Sequence, residues 1–383
     1  MRVLVLPTTD WLRHPVPNRL NFIFDALSTK DEIHVVDFRI ARFAGNPPRT
    51  TRCRLHAVSP LKGNSLAIEY SLRSPAHMAE LTQLVREIRP DCLVSANILP
   101  SALLTFIKRK MPYVLDYLDH FEENAGMYYS PGLFRQLVMF ATHHIVRWNL
   151  NHSSAVITVS PGLSRMLSNL TESPVIVVPN GVDLAIMEPV DPSSVIAQYN
   201  LTNPVLGYVG SLEPWIDLET VIRSMPQVLQ KYPKATLFVV GPRLFSDYER
   251  DLRRLVSSLG LNERVIFAGS VPYKDLPEHI SAMDVGLNPR KPLKMNEYGF
   301  GGKVLNYLAC GKPVLSSPVA SIKEVLGNRE EIWFYTNLET LVASFERMVE
   351  QRWDRNAIRN GIAQFDWSIL AKQYRKALQT TVA

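Results

Sequence analysis

Short, continuous runs of apolar and β-branched residues alternate along this chain with stretches whose apolar positions recur every three to four residues. RVLVL (2–6) and DEIHVVDF (31–38) bracket the helical pattern RLNFIFDAL (19–27). PDCLVSA (90–96) follows MAELTQLVREIR, YVLDYLD (113–119) follows SALLTFIKRK (101–110), and AVITVS (155–160) and VIVVPNGVD (175–183) flank PGLSRMLSNL. The grammar then repeats. PVLGYVGS (204–211), ATLFVVGP (235–242), RVIFAGSV (264–271), DVGLNP (284–289) and PVLSSP (313–318) are separated by helical patterns. Runs that are apolar at every position suit strands buried on both faces, as in a parallel sheet covered by helices. Strand–helix alternation in two series predicts two doubly wound, Rossmann-like α/β domains facing across a cleft, with ligands at the carboxyl ends of the strands. The Pro- and Ser-rich stretch LAIMEPVDPSS after Asp183 sets the expected domains at 1–185 and 186–365. The last helical pattern, WSILAKQYRKALQ (367–379) within 366–383, has no strand after it.

Composition narrows the class. With 383 residues, 46% apolar and 20% charged, the chain can bury a large core, which excludes disorder and a small disulfide scaffold. Cys53, Cys92 and Cys310 are odd in number and far apart, so free thiols in a reducing, cytoplasmic compartment are expected, with no metal site. RVLVL is too short for a signal peptide, and no apolar run is long enough to span a membrane. The formal charge is 42 − 36 = +6. Residues 1–180 hold 19 basic and 14 acidic side chains (+5), and residues 181–383 hold 23 and 22 (+1). That bias fits an anionic partner for the first half and equally an ordinary surface. Nucleic acid is disfavoured, because the excess is small and aromatic and basic residues do not interleave.

The motifs exclude two nucleotide chemistries. Neither PTTDWLRH nor SLEPWID, after the first strand of each series, supplies G-x-G-x-x-G. Gly302–Lys303–Val304 and Gly311–Lys312–Pro313 lack the hydroxyl residue of a P-loop. His143 and His144 are adjacent on a helix, point in different directions and do not make a metal pair. The richest segment is EYGFGGKVLNYLACGKPVLSS (297–317). It reads as a glycine turn, a helix Lys303–Cys310 stopped by Gly311, and a strand. Gly299, Gly301 and Gly302 let backbone approach a ligand, and the helix start offers free N–H donors to an anion. Lys303 opposes the helix dipole unless an anion offsets it, and Asn306 lies on the same face. Two readings fit: a diphosphate cradle, or a tight connection with a solvated lysine.

This segment resembles the donor-binding signature of the GT-B-fold glycosyltransferases, in particular the large retaining family called glycosyl transferases group 1. PNGVD (179–183), GYVGSL (207–212), ATLFVVGP, RVIFAGSVPYKDLPEHISAMDVGLNP and KVLNYLACGKPV stand in that family's order. The likeness covers residues 150–370 by motif and the first domain by architecture. It implies a nucleotide-diphosphate sugar, UDP- or GDP-linked, held by the second domain. A saccharide or lipid-linked acceptor would sit in the first domain, with retention and no metal or other cofactor. It also implies that Gly210 and Ser211 line the diphosphate with Gly301, Gly302 and Lys303, that Val271 contacts the base, and that the helix from Trp367 braces the first domain. Arg243 would face phosphates or be a surface arginine. The family's two signature glutamates are replaced by Tyr298 and Asn306, and Glu297 is the neighbouring substitute. Its phosphate-loop arginine and lysine are replaced by Ser211 and Ile216, with Lys303, Arg290 and Lys294 as candidate cations. A neutral Asn306 makes a weaker hydrogen bond to ribose than a carboxylate.

In the first domain, Asp119 and His120 end a strand. The resemblance casts Asp119 as a partner of a donor-sugar hydroxyl or the acceptor, and His120 as stabilising the leaving phosphate; otherwise they are a helix N-cap and a half-buried histidine. LFRQLVMFATHHIVRW (133–148) carries an apolar stripe of Phe134, Leu137, Ala141, Ile145 and Trp148 flanked by Arg135 and Arg147. The stripe suits packing on the sheet, or peripheral contact with the inner membrane surface and a lipid-linked acceptor. The expected function is glycosyl transfer in glycan or polysaccharide biosynthesis. The rivals are a nucleotide-sugar epimerase of the same fold and a non-catalytic nucleotide-sugar-binding or scaffold subunit.

Overall fold

The computed structural model describes residues 1–63, 66–107, 111–244 and 246–382. The chain divides into two compact units, Met1–Pro179 with Trp367–Ala383, and Asn180–Asp366. The division falls before residue 185 because the second unit gathers the PNGVD segment. Val182 N donates to Phe365 O at 3.0 Å, and Leu184 N donates to the Asp366 carboxylate at 3.2 Å. The Pro- and Ser-rich stretch therefore lies inside the second unit.

The first unit holds β1 (Arg2–Leu6), β2 (Glu32–Asp37), β3 (Arg54–Ala57), β4 (Cys92–Ser95), β5 (Tyr113–Tyr117), β6 (Ala155–Thr158) and β7 (Val175–Val177). They form a parallel sheet of order β3-β2-β1-β4-β5-β6-β7. β4, β5 and β6 are buried along their length, Asp116 of β5 included, whereas the wholly apolar β7 is half-buried. The sequence reading missed β3 (Arg-Leu-His-Ala), an edge strand without an apolar run.

The helix Arg19–Leu27 starts at Asn18 in a reciprocal capping box with Asn21. The terminal helix Trp367–Val382 packs against it within the first unit. Trp367 stacks on Phe22 with centroids 5.3 Å apart, and Tyr374 meets Phe24 edge-on. Leu370, Tyr374 and Leu378 share one core with Val3, Val5, Leu20 and Ile23. A buried polar group adds direction to this packing. Arg19 Nε lies 3.4 Å from Asp116 Oδ2, and the Tyr374 hydroxyl donates to the same oxygen at 2.9 Å.

The second unit holds β8 (Val205–Val209), β9 (Thr236–Val240), β10 (Val265–Gly269), β11 (Val285–Asn288), β12 (Val314–Ser316) and β13 (Ile332–Phe334), parallel in the order β10-β9-β8-β11-β12-β13. In both units the third, second, first and fourth strands of the series stand side by side. The winding direction reverses between first and fourth, which in the second unit is between β8 and β11. Loops leaving the carboxyl ends of those two strands diverge and open a crevice. The short edge strand β13 was not foreseen from the sequence.

All three cysteines are buried and unpaired, and burial pushes each thiol up to about 12, so none is a ready nucleophile. The helix Ile98–Ile107 starts three residues before the predicted SALLTFIKRK (101–110), whose last three residues lie outside the described ones.

The long helix Leu133–His152 corrects the expectation that its apolar stripe packs on the sheet. Its buried residues are Val146, Asn149 and Leu150, whereas Phe134, Leu137, Ala141 and Trp148 are exposed and Ile145 is half-buried. Among the described residues, no helix is long and apolar enough to cross a membrane.

Candidate active site

The second unit's crevice is built on two glycines. Gly210 follows β8 with φ +143°, and Gly241 follows β9 with φ +152°. A Cβ on Gly241 would stand 1.9 Å from the Gly210 carbonyl oxygen, so two backbones touch where any side chain would part them. Gly210 N donates to Val240 O at 2.9 Å and Gly241 N to Gly269 O at 2.8 Å, tying the ends of three strands together. Gly241→Ala is therefore expected to lower the unfolding free energy by about 2–4 kcal/mol, read from the urea midpoint, through backbone displacement and left-handed strain.

A Cβ on Gly210 would lie 2.8 Å from Lys303 Nζ. Lys303 opens the helix Lys303–Ala309, whose N-cap, Gly302, supplies no side-chain cap. Its ammonium stands 4.2 Å over the Tyr208 ring centre and donates to the Tyr208 hydroxyl at 2.9 Å; that hydroxyl donates to Ser211 O at 2.8 Å. Lys303 forms no ion pair among the described residues. Burial first, and the charge of Arg290 second, hold its pKa well below the ordinary lysine value. Lys312 is also desolvated, to about 8, but donates to Ser281 O at 2.8 Å as an internal strut. Tyr307 fastens the Lys303 helix across the crevice floor. Its hydroxyl accepts from Val209 N at 2.7 Å and donates to Leu287 O at 3.1 Å.

Arg290 leaves the other flanking strand, β11. Its backbone N donates to Ser317 Oγ at 2.9 Å, and its Nη1 donates to Asn296 Oδ1 at 3.0 Å. Asn296, buried, donates in turn to Trp215 O and Lys291 O, each at 2.8 Å. A Cβ on Gly301 would lie 2.6 Å from Arg290 Nη2, so the guanidinium lies over the glycine turn. Asn180 Nδ2 donates to Phe300 O, and Ser321 Oγ to Gly299 O at 2.8 Å, holding the turn from two further segments. Sequence reasoning missed Asn296 and Asn180. Asn296 sits in no recognisable spacing, and Asn180 stands in the PNGVD motif without a role being read for it.

Gly210, Ser211, Gly301, Gly302 and Lys303 are thus gathered with Arg290. Asn306 lies one turn after Lys303, half-buried, with no hydrogen bond to its carboxamide among the described residues. Tyr298, half-buried, ends the short helix Lys294–Tyr298, on which Glu297 and Lys294 are exposed. Val271 is half-buried just beyond β10. Arg243 is exposed and pairs with Asp247 at 3.0 Å, which is the surface-arginine alternative. In the first unit, Asp119 and His120 order the start of the helix Phe121–Gly126. Asp119 Oδ1 accepts from His120 N at 2.8 Å and Oδ2 from Asn124 Nδ2 at 3.2 Å. His120 is the N-cap, its Nδ1 accepting from Glu123 N at 3.3 Å. The cap is therefore His120 itself, with Asp119 one residue before it bracing the helix start.

Two family models cover most of the chain. Residues 203–351 match "Glycosyl transferases group 1" and residues 26–186 match "Glycosyltransferase Family 4". The chain belongs to the GT-B glycosyltransferases. This glycosyltransferase is 30% identical over 155 residues to the GDP-mannose-dependent monoacylated alpha-(1-6)-phosphatidylinositol monomannoside mannosyltransferase of Corynebacterium glutamicum, a match covering 39% of either chain. It spans less than half the length of that and similar curated relatives. Its fold is similar to that of a sucrose-phosphate synthase from Thermosynechococcus elongatus (TM-score 0.80, 18% identity, 99% of both chains). It is also similar to that of Anabaena HepE solved with UDP-glucose (TM-score 0.74, 18% identity, 99% of this chain and 100% of that one).

Proposed function

We propose that this glycosyltransferase moves a hexose, with retention and without a metal, from a UDP- or GDP-sugar to a saccharide or lipid-linked acceptor in glycan or polysaccharide biosynthesis. The observation that carries the reading is the placing of Lys303 beside Arg290 at the crevice of the second unit: Lys303 is half-buried, forms no ion pair among the described residues, and has its charge disfavoured by burial and by its cationic neighbour. A diphosphate beside the glycine turn supplies the missing counter-charge. In the reaction, the bond from the sugar's anomeric carbon to the diphosphate oxygen breaks and negative charge grows on the departing phosphate. Fixed cations stabilise that charge most where water is excluded. The acceptor oxygen bonds to the same carbon from the same face, and its proton passes to the departing phosphate oxygen, so no protein nucleophile is required. Asn306 is the partner for a ribose hydroxyl, Tyr298 and Glu297 for the donor sugar. Asp119 and His120 are the first unit's candidates for orienting acceptor or donor hydroxyls.

A GDP-mannose-dependent relative and a structural neighbour solved with UDP-glucose support a nucleotide-sugar donor of either base, and the mannosyltransferase supports a lipid-linked acceptor. Three unpaired thiols agree with a cytoplasmic setting, at the inner membrane surface when the acceptor is a lipid. Tyr298 and Asn306, where the family keeps glutamates, favour a second reading as a nucleotide-sugar-binding subunit without turnover. Calorimetry against UDP, GDP and their glucose and mannose conjugates, followed by product analysis with and without acceptor, tests both readings. Transfer is expected. Binding to none of these ligands overturns the donor site, binding without turnover selects the subunit, and an isomerised free donor selects an epimerase.

A further inference from the structure

We infer that the long helix Leu133–His152, together with the neighbouring helix Ile98–Ile107, docks this protein on an anionic phospholipid surface. The inference deepens the reading of a lipid-linked acceptor and rests on it for the presence of a membrane. Leu133, Phe134, Leu137 and Phe140 are 73%, 63%, 55% and 64% exposed, and Trp148, at 41%, continues the line. At 1.5 Å per residue the line runs for about 22 Å. Phe106, 64% exposed on the neighbouring helix, stacks on Trp148 with centroids 5.6 Å apart and planes at 24°. The Trp148 indole N–H donates to Thr105 Oγ1 at 2.8 Å, so its polar edge is already satisfied within the protein. A contiguous apolar face of this extent on a single chain marks an interaction surface.

Charge complementarity selects the occupant. The twenty residues of the helix include Arg135, Arg147 and three histidines and no carboxylate. The nearby Glu122 is mostly buried and engaged with His120 at 3.5 Å and His143 at 3.3 Å. A straight stripe of Phe, Leu and Trp with a cation near each end is the composition of a helix lying in the plane of a bilayer interface.

The test uses the full chain and vesicles of phosphatidylcholine, alone or with about 30% phosphatidylglycerol. Co-sedimentation with the mixed vesicles is expected to be on the order of tenfold stronger than with phosphatidylcholine alone, and to weaken with added salt. Replacing Phe134, Leu137 and Phe140 together by serine is expected to reduce that binding on the order of 100-fold, with the melting temperature and UDP affinity unchanged. Absence of wild-type sedimentation, or equal sedimentation of the triple variant, overturns the proposal. So does a concentration-dependent dimer that the triple variant converts to monomer, which makes a second copy the occupant. Calorimetry with UDP and with GDP separates the two readings: binding of either nucleotide without vesicle binding defeats only the docking surface, and vesicle binding without binding of either nucleotide defeats only the donor site.

Discussion

Lys303→Met is expected to weaken binding of the proposed donor's nucleotide, UDP or GDP, by about 10- to 100-fold, the range expected when one charge-assisted hydrogen bond to a phosphate is removed from a desolvated site. Methionine keeps the unbranched stem, one atom shorter, and most of the packing against Tyr208, so the loss reports chiefly on the charge. The lysine's depressed pKa adds a second signature. An anion favours the ammonium, so UDP binding takes up a proton where free Lys303 is neutral, and affinity falls as pH rises through the depressed pKa. Arg290 and the buried Glu213 and Tyr208 surround this equilibrium, but Arg290 is the charge that presses directly on Lys303. Stability has the opposite slope. Between the lowered folded pKa and the ordinary 10.5, the unfolded chain binds more protons than the native one, so the unfolding free energy rises with pH across that window. The methionine variant should flatten both slopes. Calorimetry in buffers of different ionisation enthalpy reads the proton uptake, and an unchanged UDP affinity in Lys303→Met removes this lysine from the site.

The largest loss of stability is expected from Asp116→Ala, about 3–5 kcal/mol in urea unfolding of the first unit. Arg19 and Asp116 are 2% and 0% exposed at the side chain, so the alanine leaves a guanidinium buried beside Tyr374 with its carboxylate gone. Tyr374→Phe removes only a hydrogen bond and should cost about 1–2 kcal/mol. Combining Asp116→Ala with Arg19→Met should cost less than the sum of the two single variants, because the second change removes the stranded charge. UDP binding, a property of the second unit in this reading, should survive all three at temperatures below the melt. A loss for Asp116→Ala no larger than that for Tyr374→Phe would show that the ion pair adds nothing to the packing of the terminal helix.

These two sites differ in how far the sequence revealed them. Gly301, Gly302 and Lys303 stand together in one segment, where glycine before a lysine at a helix start is itself a physical oddity. Arg290 was noticed only as a spare cation. Its role depends on Asn296 and on the carbonyl of Trp215, from a loop far away in the chain, and no local spacing records that contact. The Arg19–Asp116–Tyr374 group joins the first, middle and last parts of the chain and had no sequence signal beyond charged residues inside apolar patterns.

By itself the sequence determined the alternation of strand and helix, the two-series organisation, and most of the central strands, because a strand buried on both faces reads as a mostly apolar run. It also determined the glycine turn and where its helix stops. Only the tertiary structure decided the strand order that puts the crevice between β8 and β11, the edge strands β3 and β13, and the boundary at Asn180. The same holds for the desolvation of Lys303 and the exposure of the stripe on the Leu133–His152 helix. Periodicity records which side of an element is apolar, and that is a local property. Burial and electrostatic environment are sums over whatever distant segments come to lie beside it, and no single stretch of the chain encodes that sum.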